Sequence, residues 1–268
     1  MISPLKAIQS QVDAQQSPST VSEDCRSRSD IIGVASSYFN NTTYLSSYHI
    51  NDNSDCSERV KPRYLGNAGV YPSVPYAWGI SDDLEQFNEF MSGGINGMFA
   101  GNTNKLQKSC ARGIDCSGLV SRAWGLSDPH LGTCSLPDIS TQLASVNLLH
   151  YGDIMNLCQG NSGHTIIFVE FDGPEKLGMF GYEALAEIDS DRVVIKNRSF
   201  GDLAAAGYVP RKYNNACFKV KLPVIHNSSA TDLSNSTANP YPSPNLDVYN
   251  RSYPYPSPNL DTFSSPYP

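Results

Sequence analysis

One cysteine of this chain lies in a sequence that could make it a nucleophile. Cys116 stands between Asp115 and Ser117 in ARGIDCSGLVSRAWGL, residues 111–126, and apolar residues at helical spacing follow it. A helix N-terminus stabilises a thiolate, because its unpaired backbone N–H groups and the helix dipole favour negative charge. Asp115 could cap that helix, and Gly118 would let a substrate backbone approach closely. The pattern predicts a nucleophile, with a structural half-cystine and a metal ligand as the alternatives.

A nucleophilic cysteine also requires a base, and His164 is the best placed of the five histidines. It follows the turn sequence GNSG and opens HTIIFVEF, residues 164–171, which predicts a buried strand. A side chain at a strand end beside a glycine turn is fixed in orientation but open to a cleft. We expect structural or solvent-exposed positions for the other histidines, which are His49, His130, His150 and His226.

The surrounding sequence predicts the elements that must position this pair. Helical spacing from Ser27 to Tyr48 predicts one amphipathic helix, and a second helix begins at Cys116 and stops at Gly125. Residues 79–112 contain a Gly- and Asn-rich stretch that indicates a long loop or insertion. Three further strands are predicted in KLGMFGYEALA, DRVVIKNRSF and NACFKVKL. A helix followed by a run of strands indicates an α+β fold with an antiparallel sheet.

Composition excludes several classes of function. The net charge of −7 and the pI near 5.2 argue against nucleic-acid binding, which requires clustered Lys and Arg. No apolar run approaches the roughly 20 residues that span a bilayer. The first residues lack the apolar core of a signal peptide. We therefore expect either a cytoplasmic protein or an exported one whose signal has been removed.

The cysteine count favours an exported protein. Seven cysteines allow three disulfides and one free thiol. The sequence contains no CxxC pair, so a zinc site with the usual ligand spacing is not expected. Disulfides persist in oxidising compartments, so we expect a secreted, periplasmic or cell-wall-associated location. The pairing cannot be ranked from the sequence, although Cys110 could tie down the insertion that precedes Cys116.

Five segments occur in the order, and mostly at the spacing, of NlpC/P60 domains. They are VPYAWGI, GIDCSGLVSRAWGL, LPDISTQ, YGDIMNL and GHTIIFVEF. From Val74 to Tyr213, about half its length, the chain therefore resembles this family. The resemblance implies a papain-like fold, with the nucleophile on a helix N-terminus packed against an antiparallel sheet. It also implies a cysteine hydrolase of bacterial cell-wall peptides; many members cut between γ-D-glutamate and a diamino acid.

Carried over by position, the resemblance makes Cys116 the nucleophile and His164 the base. The third member of the triad falls on Glu183 in GMFGYEALA, where the family more often has His, Asn or Gln. A carboxylate there could still accept from the ring N–H and stabilise an imidazolium. Glu187 and Asn197 remain alternatives for this third position.

The same resemblance assigns supporting residues. Tyr76 matches a tyrosine beside the nucleophile that supports the oxyanion site, and Asp115 and Ser117 match positions that hold the substrate's free amine and backbone. No metal or organic cofactor is required, and we expect a monomer that acts on peptidoglycan peptides. Two alternatives remain open: thiol chemistry on another amide or acyl-transfer substrate, and an inactivated domain that serves as a binding module.

These inferences divide the chain into four predicted regions. They are a flexible segment, 1–24; a helical N-terminal extension, 25–73; a catalytic domain, 74–225, with an insertion at 80–112; and a Pro/Tyr/Ser-rich tail, 226–268. The tail contains YPSPNLD twice, at 241–247 and 255–261.

The coexistence of a catalytic thiol and structural disulfides predicts a biphasic response to reductant. Reducing agent should keep Cys116 active but also open the disulfides and weaken the fold, so activity should peak at an intermediate concentration. Activity and circular dichroism, followed together across a dithiothreitol series, measure both effects. A monotonic rise in activity with no loss of structure would contradict the presence of structural disulfides.

Overall fold

The structure is a computed structural model that describes residues 25–51, 56–93, 97–127, 130–160, 162–188 and 190–218. The segment predicted to be flexible, 1–24, and the predicted tail, 226–268, lie outside the described residues. His226 and the second half of the last predicted strand, 219–222, also lie outside them.

Helices prevail in the first half of the described chain and long strands in the second. The helices are α1 (Arg28–Asn40), α2 (Ser47–Ile50), α3 (Leu84–Ser92), α4 (Cys116–Trp124) and α5 (Phe200–Ala205). The strands are β1 (Arg26–Ser27), β2 (Thr42–Leu45), β3 (Gly69–Pro72), β4 (Phe99–Ala100), β5 (Ala111–Arg112), β6 (Ser140–Gln142), β7 (Ile154–Gln159), β8 (Ser162–Phe171), β9 (Gly178–Leu185), β10 (Arg192–Ser199), β11 (Val209–Tyr213) and β12 (Ala216–Cys217). The predicted α+β class is confirmed.

A six-stranded sheet forms the centre of the fold. Its strand order is β10-β9-β8-β7-β11-β6, and every neighbouring pair is antiparallel. Strands β8, β9 and β10 correspond to three predicted strands. Strands β6, β7 and β11, which were not predicted from the sequence, complete the sheet.

The predicted helix from Ser27 to Tyr48 is wrong in its second half. Helix α1 begins after the cap Ser27, whose hydroxyl accepts from Asp30 N, and it ends at Asn40. Asn41 then turns the backbone to ψ 139°, and the β-branched residues that follow favour the strand β2, which pairs with β3. The predicted helical extension, 25–73, therefore contains an antiparallel strand pair as well as α1 and α2.

The Gly- and Asn-rich segment at 79–112 is not a structureless loop in its described part. It contains α3, which begins at the cap Asp83, whose carboxylate accepts from Gln86 N at 2.7 Å. The two-residue strands β4 and β5 pair in parallel near its end. The segment adds a small folded unit immediately before the helix that carries Cys116.

Two apolar clusters cover opposite faces of the sheet. One packs α1 and α4 against the sheet through buried side chains that include Ile31, Val120 and Ile167. The other packs α5 against it through Phe200 and Ile166. Adjacent residues of a strand point to opposite faces, which is why Ile166 and Ile167 belong to different clusters. The first cluster fixes α4, and hence its first residue, relative to the strands.

Six of the seven cysteines form disulfides, and Cys116 is free. The pairs are Cys25–Cys217, Cys56–Cys110 and Cys134–Cys158. The expectation of three disulfides and one thiol is confirmed, and Cys110 does tie down the segment before α4. Three disulfides are compatible with an oxidising compartment. None of the helices in the described part of the chain has the length and apolar character needed to cross a bilayer.

A buried ion pair joins α1 to the turn before β7. Arg28 and Asp153 are 2% and 0% exposed, and Arg28 Nη1 donates to Asp153 Oδ1 at 2.8 Å and to Tyr151 O at 2.9 Å. Asp153 also accepts from His150 N at 2.8 Å. The pair orients α1, which in turn packs against α4.

Replacing Arg28 should destabilise the fold strongly. Arg28→Met leaves the Asp153 carboxylate buried without its counter-ion, which costs about 3–5 kcal/mol in the free energy of unfolding. Urea denaturation measures the loss. As a control, Lys108→Met removes one partner of the pair Lys108–Glu58, in which Glu58 is 65% exposed, and should change little. If both variants lost the same free energy of unfolding, the prediction that the buried pair Arg28–Asp153 contributes more than the surface pair would be wrong.

Candidate active site

Asp115 determines where α4 begins. Its backbone is extended, with φ −96° and ψ −179°, and its Oδ1 accepts from Gly118 N at 2.7 Å and from Ser117 Oγ at 3.1 Å. This cap makes Cys116 the first residue of the helix, as predicted. At the other end, Gly125 closes the helix with φ 70°, a conformation that glycine adopts without strain.

Gly118 does not serve substrate approach, contrary to expectation. A Cβ atom at this position would lie 2.7 Å from Ser81 Cβ and 3.0 Å from Ile80 O. The glycine instead allows the helix start to pack against the segment before α3. The same segment accepts the Asp115 N–H at Ile80 O, at 2.9 Å.

His164 lies near the start of β8 and contacts Glu183 on the neighbouring strand β9. Their Nε2 and Oε2 atoms are 2.7 Å apart, and the two side chains are 17% and 0% exposed. Cys116 lies near enough to His164 to raise the pKa of the imidazole, through its charge and a side-chain hydrogen bond. The structure thus brings a thiol, an imidazole and a carboxylate together.

The charge state of His164 follows from these two neighbours. Burial lowers the pKa of His164, but the charge and hydrogen bond of Cys116 and those of Glu183 outweigh burial and raise it to about 10. An imidazolium next to a cysteine sulfur stabilises the thiolate by direct charge attraction. With its pKa raised to about 10, the His164 ring is protonated at neutral pH.

Glu183 is held ionised in spite of its burial. Arg198, on β10, donates from Nε to Glu183 Oε1 at 2.8 Å and from Nη2 to Oε2 at 2.9 Å. Burial raises the pKa of Glu183, but the hydrogen bonds from His164 and Arg198 overcome this and hold the pKa below its ordinary value. Arg198 was missed by the sequence analysis, because nothing in the local sequence of β10 points to β9.

The two alternatives for the third position have other surroundings. Glu187 is half exposed, and its Oε2 accepts from Lys196 at 2.8 Å. Asn197 is exposed on β10. Of the three candidates, Glu183 is the one whose hydrogen bond to the His164 ring is observed.

Tyr76 is buried beside Cys116. Its backbone N donates to Asp191 O at 2.8 Å, and its carbonyl accepts from Asn102 N at 2.9 Å, so two separate segments position it. Burial raises the pKa of the Tyr76 hydroxyl, and the charges of Cys116 and Asp115 raise it further. The phenol therefore keeps its proton and can act as a hydrogen-bond donor.

Cys116 opens onto a cleft of about 210 Å³. Residues that line it include Tyr76, Trp78, Asp115, Ser117, His130 and Thr133. The loop 130–134 forms one wall, and the Cys134–Cys158 disulfide attaches this loop to β7. A Cβ atom at Gly163 would lie 2.0 Å from Thr133 Oγ1, so the glycine before His164 allows the wall to close against β8.

His130 lines the cleft, whereas the sequence predicted a structural or solvent-exposed position for it. Its Nε2 lies 2.9 Å from Asp115 Oδ2, which also accepts from Gly79 N at 3.0 Å. Both carboxylate oxygens of Asp115 thus have partners within the protein, and Ser117 Oγ is one of them. The substrate-binding roles of Asp115 and Ser117 stay predictions. The remaining described histidines lie elsewhere: His49 is buried beside Ser46, and His150 contacts Leu148 O.

No protein-family model, curated protein or solved structure matches this chain. Within the part of the chain that the structure describes, no group of three or more His, Cys, Asp or Glu side chains is arranged to hold a metal ion. The chemistry of the site therefore has to follow from its geometry.

Replacing Glu183 should lower the pKa of His164. Glu183→Gln removes the carboxylate charge, so burial, which opposes the imidazolium, weighs more heavily and the pKa falls from about 10. Ring ¹H–¹⁵N spectra collected from about pH 5 to about pH 11 report this titration directly. Glu187→Gln is the matched control, because it removes a half-exposed carboxylate from the same region. An unchanged His164 titration in Glu183→Gln would contradict the coupling.

Proposed function

We propose that this protein is a cysteine hydrolase that cleaves amide bonds in peptidoglycan stem peptides, of the type that cuts between γ-D-glutamate and a diamino acid. It acts outside the cytoplasm, in a secreted, periplasmic or cell-wall-associated location. In this proposal the catalytic domain has a papain-like NlpC/P60 fold, with the nucleophile at a helix start and its partners on adjacent strands.

The observation that carries the proposal is that Cys116, His164 and Glu183 lie together, with His164 Nε2 2.7 Å from Glu183 Oε2. Cys116 is the one cysteine outside the disulfides, and it lies at a helix N-terminus, where negative charge is favoured. His164 is oriented by a buried carboxylate that supports its protonated form. A nucleophile, a base and an orienting group in contact are the arrangement that acyl transfer requires.

The first step is attack of the Cys116 sulfur on the carbonyl carbon of the scissile amide. The carbonyl oxygen becomes an oxyanion, which the backbone N–H groups at the start of α4 and the Tyr76 hydroxyl stabilise. His164 then gives its proton to the leaving amine, the C–N bond breaks and a thioester remains on Cys116.

The second step hydrolyses the thioester. His164, now neutral, takes a proton from a water molecule, and the resulting hydroxide attacks the thioester carbonyl. The carboxylate is released, and the thiolate and imidazolium form again. Glu183 keeps one ring nitrogen of His164 engaged throughout, so the other nitrogen remains directed to the reacting atoms.

Two further observations support a short peptide as the substrate. The cleft volume of about 210 Å³ lies below the roughly 300–1,000 Å³ of common small-molecule sites. It therefore suits a segment of one or two residues rather than a folded protein. The five ordered motifs that resemble NlpC/P60 domains supply the choice of peptidoglycan among short peptides.

Incubation with defined muropeptides tests the proposal. Mass spectrometry should show cleavage of a stem-peptide amide by the native chain and none by Cys116→Ala, which lacks the sulfur nucleophile. The mass of the products identifies the bond. Cys116→Ser is a useful second variant, since it preserves size and polarity but should lose at least about a hundredfold in rate.

The negative outcomes separate the alternatives. If the native chain cleaves no muropeptide while iodoacetamide labels Cys116 faster than it labels free cysteine, the thiol chemistry stands and the substrate is another amide or acyl compound. If Cys116 is also unreactive, the domain is a binding module and the hydrolase proposal fails.

A further inference from the structure

Arg198 makes the strongest contact with the proposed triad from outside it. Two of its nitrogens each donate to a different oxygen of Glu183, at 2.8 and 2.9 Å. Such a paired arrangement fixes the plane of the carboxylate as well as its charge. Arg198 is 27% exposed, whereas Glu183 is fully buried, so the guanidinium links the buried site to the protein surface.

The guanidinium reaches Glu183 along the sheet rather than directly across it. In the register of β9 and β10, Glu183 lies opposite Val194, whereas Arg198 lies opposite Met179. The arginine and glutamate side chains therefore reach toward each other along the sheet, across a register offset of four residues. A shorter cation at position 198 could not form the same two hydrogen bonds.

The burial of Glu183 explains why such a partner is required. A buried carboxylate without a cation is destabilised, and it accepts a proton instead of remaining charged. A protonated Glu183 would no longer stabilise an imidazolium at His164.

Several elements around Glu183 contribute titratable or charged groups. Besides Arg198, they are His164 on β8, Cys116 at the start of α4, Tyr208 after α5, and Glu187 after β9 with its partner Lys196 on β10. With the thiolate and imidazolium formed, the charges of Cys116, His164, Glu183 and Arg198 sum to zero. Without Arg198 the buried group would carry one net negative charge, which favours uptake of a proton.

We propose that Arg198 is a positioning residue of the catalytic site, which holds Glu183 ionised and fixed in orientation so that His164 can support the Cys116 thiolate. The inference rests on the proposed function, because it requires Cys116 to act as a nucleophile. It adds a fourth member to the thiol–imidazole–carboxylate chain.

The rate of Cys116 alkylation by iodoacetamide, measured from about pH 4 to about pH 9, tests the inference without a substrate. The three disulfides stay closed in the absence of reductant, so Cys116 is the thiol available in the native chain. In Arg198→Met the acidic midpoint of the rate profile should move upward by about one pH unit or more, because loss of the cation favours protonation of the coupled group. Arg198→Lys keeps the charge but loses the paired geometry, and should move it less.

Two controls separate this effect from general charge and from folding. Lys196 lies on the same strand as Arg198 and pairs with Glu187. Lys196→Met removes this cation and should leave the midpoint unchanged. In a Glu183→Gln background, Arg198→Met should have no further effect on the midpoint, since the carboxylate through which Arg198 acts is gone. The double variant Glu183→Gln, Arg198→Met should also fold, because a neutral glutamine side chain needs no counter-ion.

The outcomes are distinct. An unchanged midpoint in folded Arg198→Met would overturn the inference, as would equal shifts in the native and the Glu183→Gln backgrounds. If Arg198→Met does not fold, the comparison between Glu183→Gln and the double variant decides: equal midpoints support the inference and different ones overturn it. A native Cys116 that reacts no faster than the thiol of the unfolded chain would instead overturn the proposed function, and this inference with it.

Discussion

The carboxylate of Asp115 is the contact on which the site depends most. Its two oxygens accept from the start of α4, from the backbone at Gly79 and from the His130 ring. One buried side chain thereby sets the first residue of α4, attaches the segment before α3 and holds one wall of the cleft. Because an N-cap fixes the helix start to a single residue, the sulfur of Cys116 lies at the helix end rather than one turn inside it.

A second constraint is the charge balance around Glu183. Burying a carboxylate is unfavourable unless hydrogen bonds and an opposite charge compensate for it, and here His164 and Arg198 together do so. The same contacts that keep Glu183 charged also favour the protonated form of His164. The contacts of Glu183 therefore affect both the stability of the fold and the protonation of His164. Glu183 lies on β9, within the central sheet. The disulfides add a separate constraint, and one of them, Cys134–Cys158, fixes the cleft wall that carries Thr133.

The sequence predicted local features well and distant contacts poorly. The start of α4 at Cys116, its end at Gly125 and the strand that follows Gly163 were all predicted, since caps, glycine stops and apolar runs act over a few residues. The helix expected up to Tyr48 was wrong after Asn40, because the strand β2 gains its stability from pairing with β3. The role expected of Gly118 was wrong for the same reason: its neighbours, Ile80 and Ser81, come from another part of the chain.

By itself the sequence determined the helix start at Cys116, the number of disulfides and the α+β class, each of which follows from residue type, spacing or count. Only the tertiary structure decided that Arg198 rather than a neighbouring residue meets Glu183, and that His130 meets Asp115. It also decided which cysteines pair. These contacts join residues that are 15 to 192 positions apart, with Arg198 and Glu183 at the short end, and they exist because strand register and core packing bring distant segments together.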